Sequence, residues 1–180
     1  MQSANTHDEL KVHEIYLSVQ GESTHAGKPC VFVRLTGCPL RCTWCDTEHA
    51  FYNGEHQRID SIVEQVLAYQ TRLVEITGGE PLIQKNVHPL MTTLCDAKKE
   101  VLIETSGAFD IGMIDPRVRV IMDIKCPDSG ESEKNKYGNL AQLKPADEVK
   151  FVLASRKDYD FAKSVIYEHD LEGRCELLMS

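Results

Sequence analysis

Short apolar runs bounded by turn residues recur along the chain, separated by stretches of helical character. Periodicity and turn signals predict strands at Val31 to Thr36, Leu73 to Thr77, Val101 to Thr105, Val118 to Ile124, Glu148 to Leu153 and Cys175 to Met179. An extended piece, His13 to Val19, precedes this core. Between the strands, Asp60 is placed to cap an amphipathic stretch carrying Ile62, Val63, Val66 and Leu67, and Arg156 to His169 carries Phe161, Val165 and Ile166 at helical spacing. Strand followed by helix predicts a parallel sheet. The strands are nearly all apolar, and polar residues collect just beyond their C-terminal ends. The expected fold class is therefore α/β, a partial (β/α) barrel of about six parallel strands, with an open doubly wound sheet as the alternative.

Length and composition narrow the class. The 180 residues, 42% hydrophobic and 27% charged, fit a single domain over 1–180, with 1–12 read as a flexible tail. Seven cysteines are an odd number, and no charged-then-apolar leader opens the chain, so a reducing cytoplasm is expected and the thiols should be ligands or buried groups. No apolar run approaches the roughly 18 residues that span a bilayer, and a formal charge of -8 argues against a nucleic-acid partner. Small-molecule chemistry is the default. Cys126 to Leu140, with Pro127, Gly130 and Gly138 among many charges, reads as a long mobile loop that could serve as a lid.

The chemistry concentrates in two motifs. Cys38, Cys42 and Cys45 follow the first core strand at spacing C-x-x-x-C-x-x-C, close enough to converge on one metal centre. A cuboidal 4Fe-4S cluster accepts four cysteines, so three would leave one iron open. Structural zinc would need a fourth ligand such as His49, Cys30, Cys95, Cys126 or Cys175. The second motif, Thr77-Gly78-Gly79-Glu80-Pro81, ends the next strand; its glycines let backbone approach a ligand, and Glu80 could meet an ammonium or simply close a turn. Arg34 interrupts an apolar strand, where an unpaired charge would cost several kcal/mol, so it needs an anionic partner: Glu22 or a substrate carboxylate. Asp123 and Lys125, two apart, share a strand face and could pair with each other, or Asp123 with Lys150.

Together the cysteine triplet and the Gly-Gly-Glu turn resemble the radical S-adenosylmethionine (SAM) superfamily, in which the open iron binds the amino and carboxylate groups of SAM and the reduced cluster cleaves it to methionine and a 5′-deoxyadenosyl radical. Val19-Gln20-Gly21-Glu22, Arg34 and Cys45-Asp46-Thr47 look like the 7-carboxy-7-deazaguanine synthase family within it, over nearly the whole chain from about His13. That resemblance implies a carbon-nitrogen lyase of queuosine biosynthesis. The radical would take the C6 hydrogen of 6-carboxy-5,6,7,8-tetrahydropterin; the ring then contracts, ammonia leaves and SAM is regenerated. It also implies SAM contacts at Trp44, Cys45, Asp46, Gly79, Glu80, Asp123 and Lys125, and substrate contacts at Val19, Gln20, Gly21, Glu22, Arg34 and Thr77. A Mg²⁺ would be held in part by Thr47, an electron donor such as flavodoxin or ferredoxin would reduce the cluster, and a homodimer is allowed. From the residues alone, Trp44 could equally pack in the core and Thr47 could cap a helix.

The family usually carries Ser-Pro-Lys where this chain has Asp123-Ile124-Lys125, which leaves Lys125 the safer correspondence. The family also continues past the strand that here ends at Ser180, so a shortened C-terminus is expected, with the cluster site better preserved than the substrate site. The alternatives are a glycyl-radical enzyme activase and a non-catalytic iron-sulfur or zinc module.

Overall fold

A computed structural model describes residues 8–180. All eight strands among the described residues lie in one open sheet: β1 (Glu9–Val19), β2 (Pro29–Leu35), β3 (Glu55–Arg58), β4 (Leu73–Gly78), β5 (Glu100–Thr105), β6 (Arg119–Asp123), β7 (Glu148–Phe151) and β8 (Glu176–Met179), in spatial order β3-β1-β2-β4-β5-β6-β7-β8. From β2 through β8 the six core strands run parallel, as expected; β1 is antiparallel to both of its neighbours. The sheet does not close into a barrel.

Alternation along each strand builds two different faces. One carries Val31, Val33, Leu35, Val74, Ile76, Val101, Ile103, Val120, Met122, Val149 and Phe151. Helices α1 (Ile59–Ala68), α2 (Val87–Asp96) and α3 (Arg156–Glu168) bury Ile62, Val66, Leu90, Met91, Leu94, Ala162 and Val165 in the same cluster. Each such Leu, Ile or Val is worth about 1.5–3 kcal/mol relative to exposure. The other face starts at the N-terminal ends of the strands with a small apolar layer of Cys30, Phe32, Leu73, Leu102 and Ile121. Above it, toward the C-terminal ends, the same face turns polar with Arg34, Glu75, Thr77, Glu104, Asp123 and Lys150.

Several expectations are corrected. Residues 9–12 are no tail: Leu10 and Val12 are buried, and this half of β1 pairs with β3, a strand that its polar sequence hides. Residues 1–7 of that expected tail lie outside the described residues. Asp60 does not cap α1. Arg58 occupies the cap position, and Asp60 sits in the first turn accepting from Arg58 and from the Ser61 amide, close to the positive end of the helix. The segment after Cys126 forms three short 3-10 turns and is pinned along its length. Asn139 donates to the Gly107 and Phe109 carbonyls, Asn135 bonds Lys125 in both directions, and the Asp128 amide donates to Asp158. It is a fixed strap, not a free lid. No helix among the described residues is long and apolar enough to cross a membrane.

Candidate active site

The cysteine loop leaves the C-terminal end of β2 and is seated on the glycine turn that ends β4. The Gly79 amide donates to the Leu35 carbonyl and the Glu80 amide to the Gly37 carbonyl at 2.8 Å. The contact tolerates no side chain: a Cβ on Gly79 would stand 2.2 Å from the Gly37 carbonyl oxygen and 2.8 Å from the Cys38 Cβ. Gly78, at φ +139°, lies equally close to Leu35. The two motifs read separately in the sequence thus form one joint.

All seven cysteines are free, and Cys38, Cys42 and Cys45 are half-buried around a cavity of about 470 Å³, a size that suits a cofactor with a small substrate. Burial pushes the Cys38 and Cys42 thiols up, with Lys125 opposing the shift at Cys42. Thiolates here therefore need a cationic centre to stabilise them. Burial also raises Cys126 to about 12; it and Cys30 are wholly buried, as core thiols are.

Around the same cavity stand Gln20, Gly21, Glu22, Arg34, Trp44, Asp46, Thr47, Thr77, Gly79, Asp123 and Lys125, which sequence reasoning singled out. Thr47 Oγ1 lies 3.7 Å from Cys45 Sγ. Lys125 donates to Asp123 at 2.7 Å, while Asp123 Oδ1 is buried without a partner, an acceptor left for a ligand group. Two expected residues fall outside. Val19 is 60% exposed at the end of β1 and does not line the cavity. Glu80 is fully buried beneath the turn, its carboxylate taken by the Leu82 amide, the Ser106 amide and the Thr105 and Ser106 hydroxyls.

The protein carboxylate that pairs with Arg34 is not Glu22. Arg34 Nε donates to Glu14 at 2.9 Å, directly across the ladder on β1, and Nη2 donates to the diagonal neighbour Tyr16 OH. Glu22 instead accepts from Lys150, which also donates to Glu104 at 2.6 Å.

This exposes a charged layer that sequence reading only brushed. Glu75 sits between Val74 and Ile76 on the cavity face of β4, and Gln20 donates to it. Desolvation, reinforced by the charge of Glu104, pushes Glu75 up to about 8, whereas Lys150 overcomes the desolvation of Glu104 and holds it low. Of the pair, Glu75 is therefore the carboxyl pushed toward its protonated form and Glu104 the one kept ionised. The signal was available, since the argument applied to Arg34 covers any charge inside an apolar strand.

An acid raised on folding contributes most below its unfolded value and loses that contribution as pH climbs to the folded one. Against a Glu75→Gln variant, the wild type should lose stability between about pH 4.5 and 8, by a few kcal/mol at most. Denaturant unfolding of both proteins at pH 5, 7 and 8.5 reads this directly; parallel stabilities across the range would refute it.

A family model described as the radical SAM superfamily matches residues 32–123. The chain is 45% identical to a 7-carboxy-7-deazaguanine synthase of Chlorobaculum tepidum, over 97% of this chain and 80% of that protein. It is 46% identical to a protein of the same name from Koribacter versatilis, over 92% of this chain and 74% of that protein. In fold it is similar to a crystal structure of QueE from Escherichia coli, with TM-score 0.82 and 23% identity, covering 99% of this chain and 87% of that one.

Proposed function

The chain belongs to the 7-carboxy-7-deazaguanine synthase family of the radical SAM superfamily, and on that premise we propose that it converts 6-carboxy-5,6,7,8-tetrahydropterin to 7-carboxy-7-deazaguanine with loss of ammonia, a step of queuosine biosynthesis. The observation that carries this reading is that the cysteine triplet, the glycine turn and the Gln20-Gly21-Glu22 and Arg34 group all line one cavity.

Cys38, Cys42 and Cys45 would hold a 4Fe-4S cluster and leave one iron for SAM, the pair supplying hydrogen-atom abstraction when bound. Trp44, Asp46, Gly79, Asp123 and Lys125 would take the rest of SAM, with the orphaned Asp123 oxygen as an acceptor for a hydroxyl or ammonium. Arg34 keeps a full positive charge beside the cavity. Burial opposes that charge, but the bonds to Glu14 and Tyr16 prevail and raise its pKa. Its remaining N–H groups can meet the carboxylate of the pterin. Gln20 is held by Glu75 and in turn accepts from the Glu22 amide, which fixes the shape of the turn that would face the pterin ring. Thr47, with water and substrate oxygens, would hold Mg²⁺. Phe32, Leu40, Trp44 and Phe51 wall the cavity with apolar surface that keeps water from the reacting atoms. A one-electron donor of the flavodoxin or ferredoxin kind completes the scheme.

The test is anaerobic reconstitution with iron and sulfide, then incubation with reductant, SAM, Mg²⁺ and the carboxytetrahydropterin, followed by mass spectrometry. The expected outcome is 7-carboxy-7-deazaguanine. SAM cleavage without that product would point to a glycyl-radical activase, and failure to bind SAM would leave a non-catalytic module.

A further inference from the structure

A second group of metal-ligating side chains lies outside the cavity. His13, Glu14 and His49 each bring a ligand atom to within 4.8 Å of the others. His13 and Glu14 are neighbours on β1, and strand alternation alone would send them to opposite faces. A β-bulge prevents this: Val12 pairs with Leu35 and Glu14 with Arg34, so His13 is the extra residue, and a bulge of this kind re-aims the side chains beside it. His49 comes from the 3-10 turn Glu48–Phe51, shortly after the cysteine loop, and its ring centroid lies 5.1 Å from that of His13. Nδ1 of His13 is buried with no hydrogen-bond partner. Glu14 already accepts from Arg34 through Oε1, but a carboxylate has two oxygens and about four acceptor sites, so it can serve a metal as well. Glu14 and His49 are exposed, which gives an ion from solvent a way in.

We propose that His13, Glu14 and His49 form a binding site for a divalent transition ion of the zinc type, clamping the segment after the cysteine loop to β1. Two imidazoles and one carboxylate are a zinc donor set with at least one position open, whereas Mg²⁺ would require an oxygen shell. The two imidazoles, tilted 57° to one another, have a plainer reading as an aromatic pair, and the two readings predict different results. The site shares Glu14 with the Arg34 pair but uses no group assigned to the cluster, SAM or the pterin.

The experiment uses the protein with its cysteine-bound cluster already loaded, so that the cysteines are not available to zinc. Anaerobic equilibrium dialysis against Zn²⁺ at micromolar concentration should retain one zinc per chain. X-ray absorption at the zinc edge should show a nitrogen and oxygen shell near 2.0–2.1 Å with imidazole scattering and no sulfur at about 2.3 Å. His49→Ala, at an exposed position, should weaken retention at least tenfold, and His13→Ala should do the same. No zinc retained by the wild type, a sulfur shell, or equal retention by wild type and both variants would each overturn the proposal.

Discussion

Replacing Cys42 with alanine is expected to cut product formation by roughly a thousandfold or more and to strip most of the iron that reconstitution installs. Residues that merely orient a metal ligand typically cost about 10–100-fold when removed, and a direct ligand on a cluster with three protein ligands should cost more. Cys30→Ala is the informative comparison. That thiol is buried in the small apolar layer with Phe32, Leu73, Leu102 and Ile121, and burial pushes it up to about 12, so it behaves as a packing group. Losing its sulfur should cost about 1–2 kcal/mol of stability through a small cavity while the iron content stays at the wild-type level. Iron loss in Cys30→Ala as complete as in Cys42→Ala would mean that the cluster is not held by the triplet alone.

The contrast between those two cysteines shows what the sequence could reveal. Spacing marks a candidate ligand set, so Cys38, Cys42 and Cys45 stand out in the sequence as candidates, and the six parallel strands are legible there too, because both signals are local. Helix α2 was not anticipated. Pro89 and a run of threonines break the helical look of Val87–Asp96, yet proline in the first turn costs no hydrogen bond, and Leu90, Met91 and Leu94 supply the buried face. Arg34 shows the other limit. That it must have a carboxylate partner follows from burial alone, but that the partner is Glu14 depends on the register of β1 against β2, which includes the bulge at His13. Glu75, Glu104 and Lys150 come from three strands, and only the sheet order makes them neighbours. Lys150 also reaches across to Glu22, claiming a carboxylate that sequence reading had offered to Arg34. Non-local pairing of this kind leaves no periodic trace.

Glu80 provides the sharpest separation between a residue that touches the cofactor and one that builds the platform beneath it. Its carboxylate is surrounded only by donors: the Leu82 amide at 3.0 Å, the Ser106 amide at 2.8 Å, the Thr105 hydroxyl at 2.9 Å to both oxygens, and the Ser106 hydroxyl. These bonds tie the turn after β4, on which the cysteine loop rests, to the end of β5. Glu80→Ala would orphan all four donors and open a cavity, so we expect a loss of about 3–5 kcal/mol in denaturant unfolding. Glu80→Gln keeps the shape but turns an amide N–H₂ toward groups that can only donate or would have to reorient, so it should still cost about 1.5–3 kcal/mol. In both variants the glycine turn loosens under Gly37 and Cys38, and cluster retention should fall in step with stability. The opposite pattern defines the alternative. If Glu80 acts by meeting the ammonium of SAM, Glu80→Gln would unfold at the wild-type midpoint, keep its iron, and lose only SAM affinity. The two readings therefore part on a single isosteric substitution, and the donor ring around this buried carboxylate places the expected loss in stability.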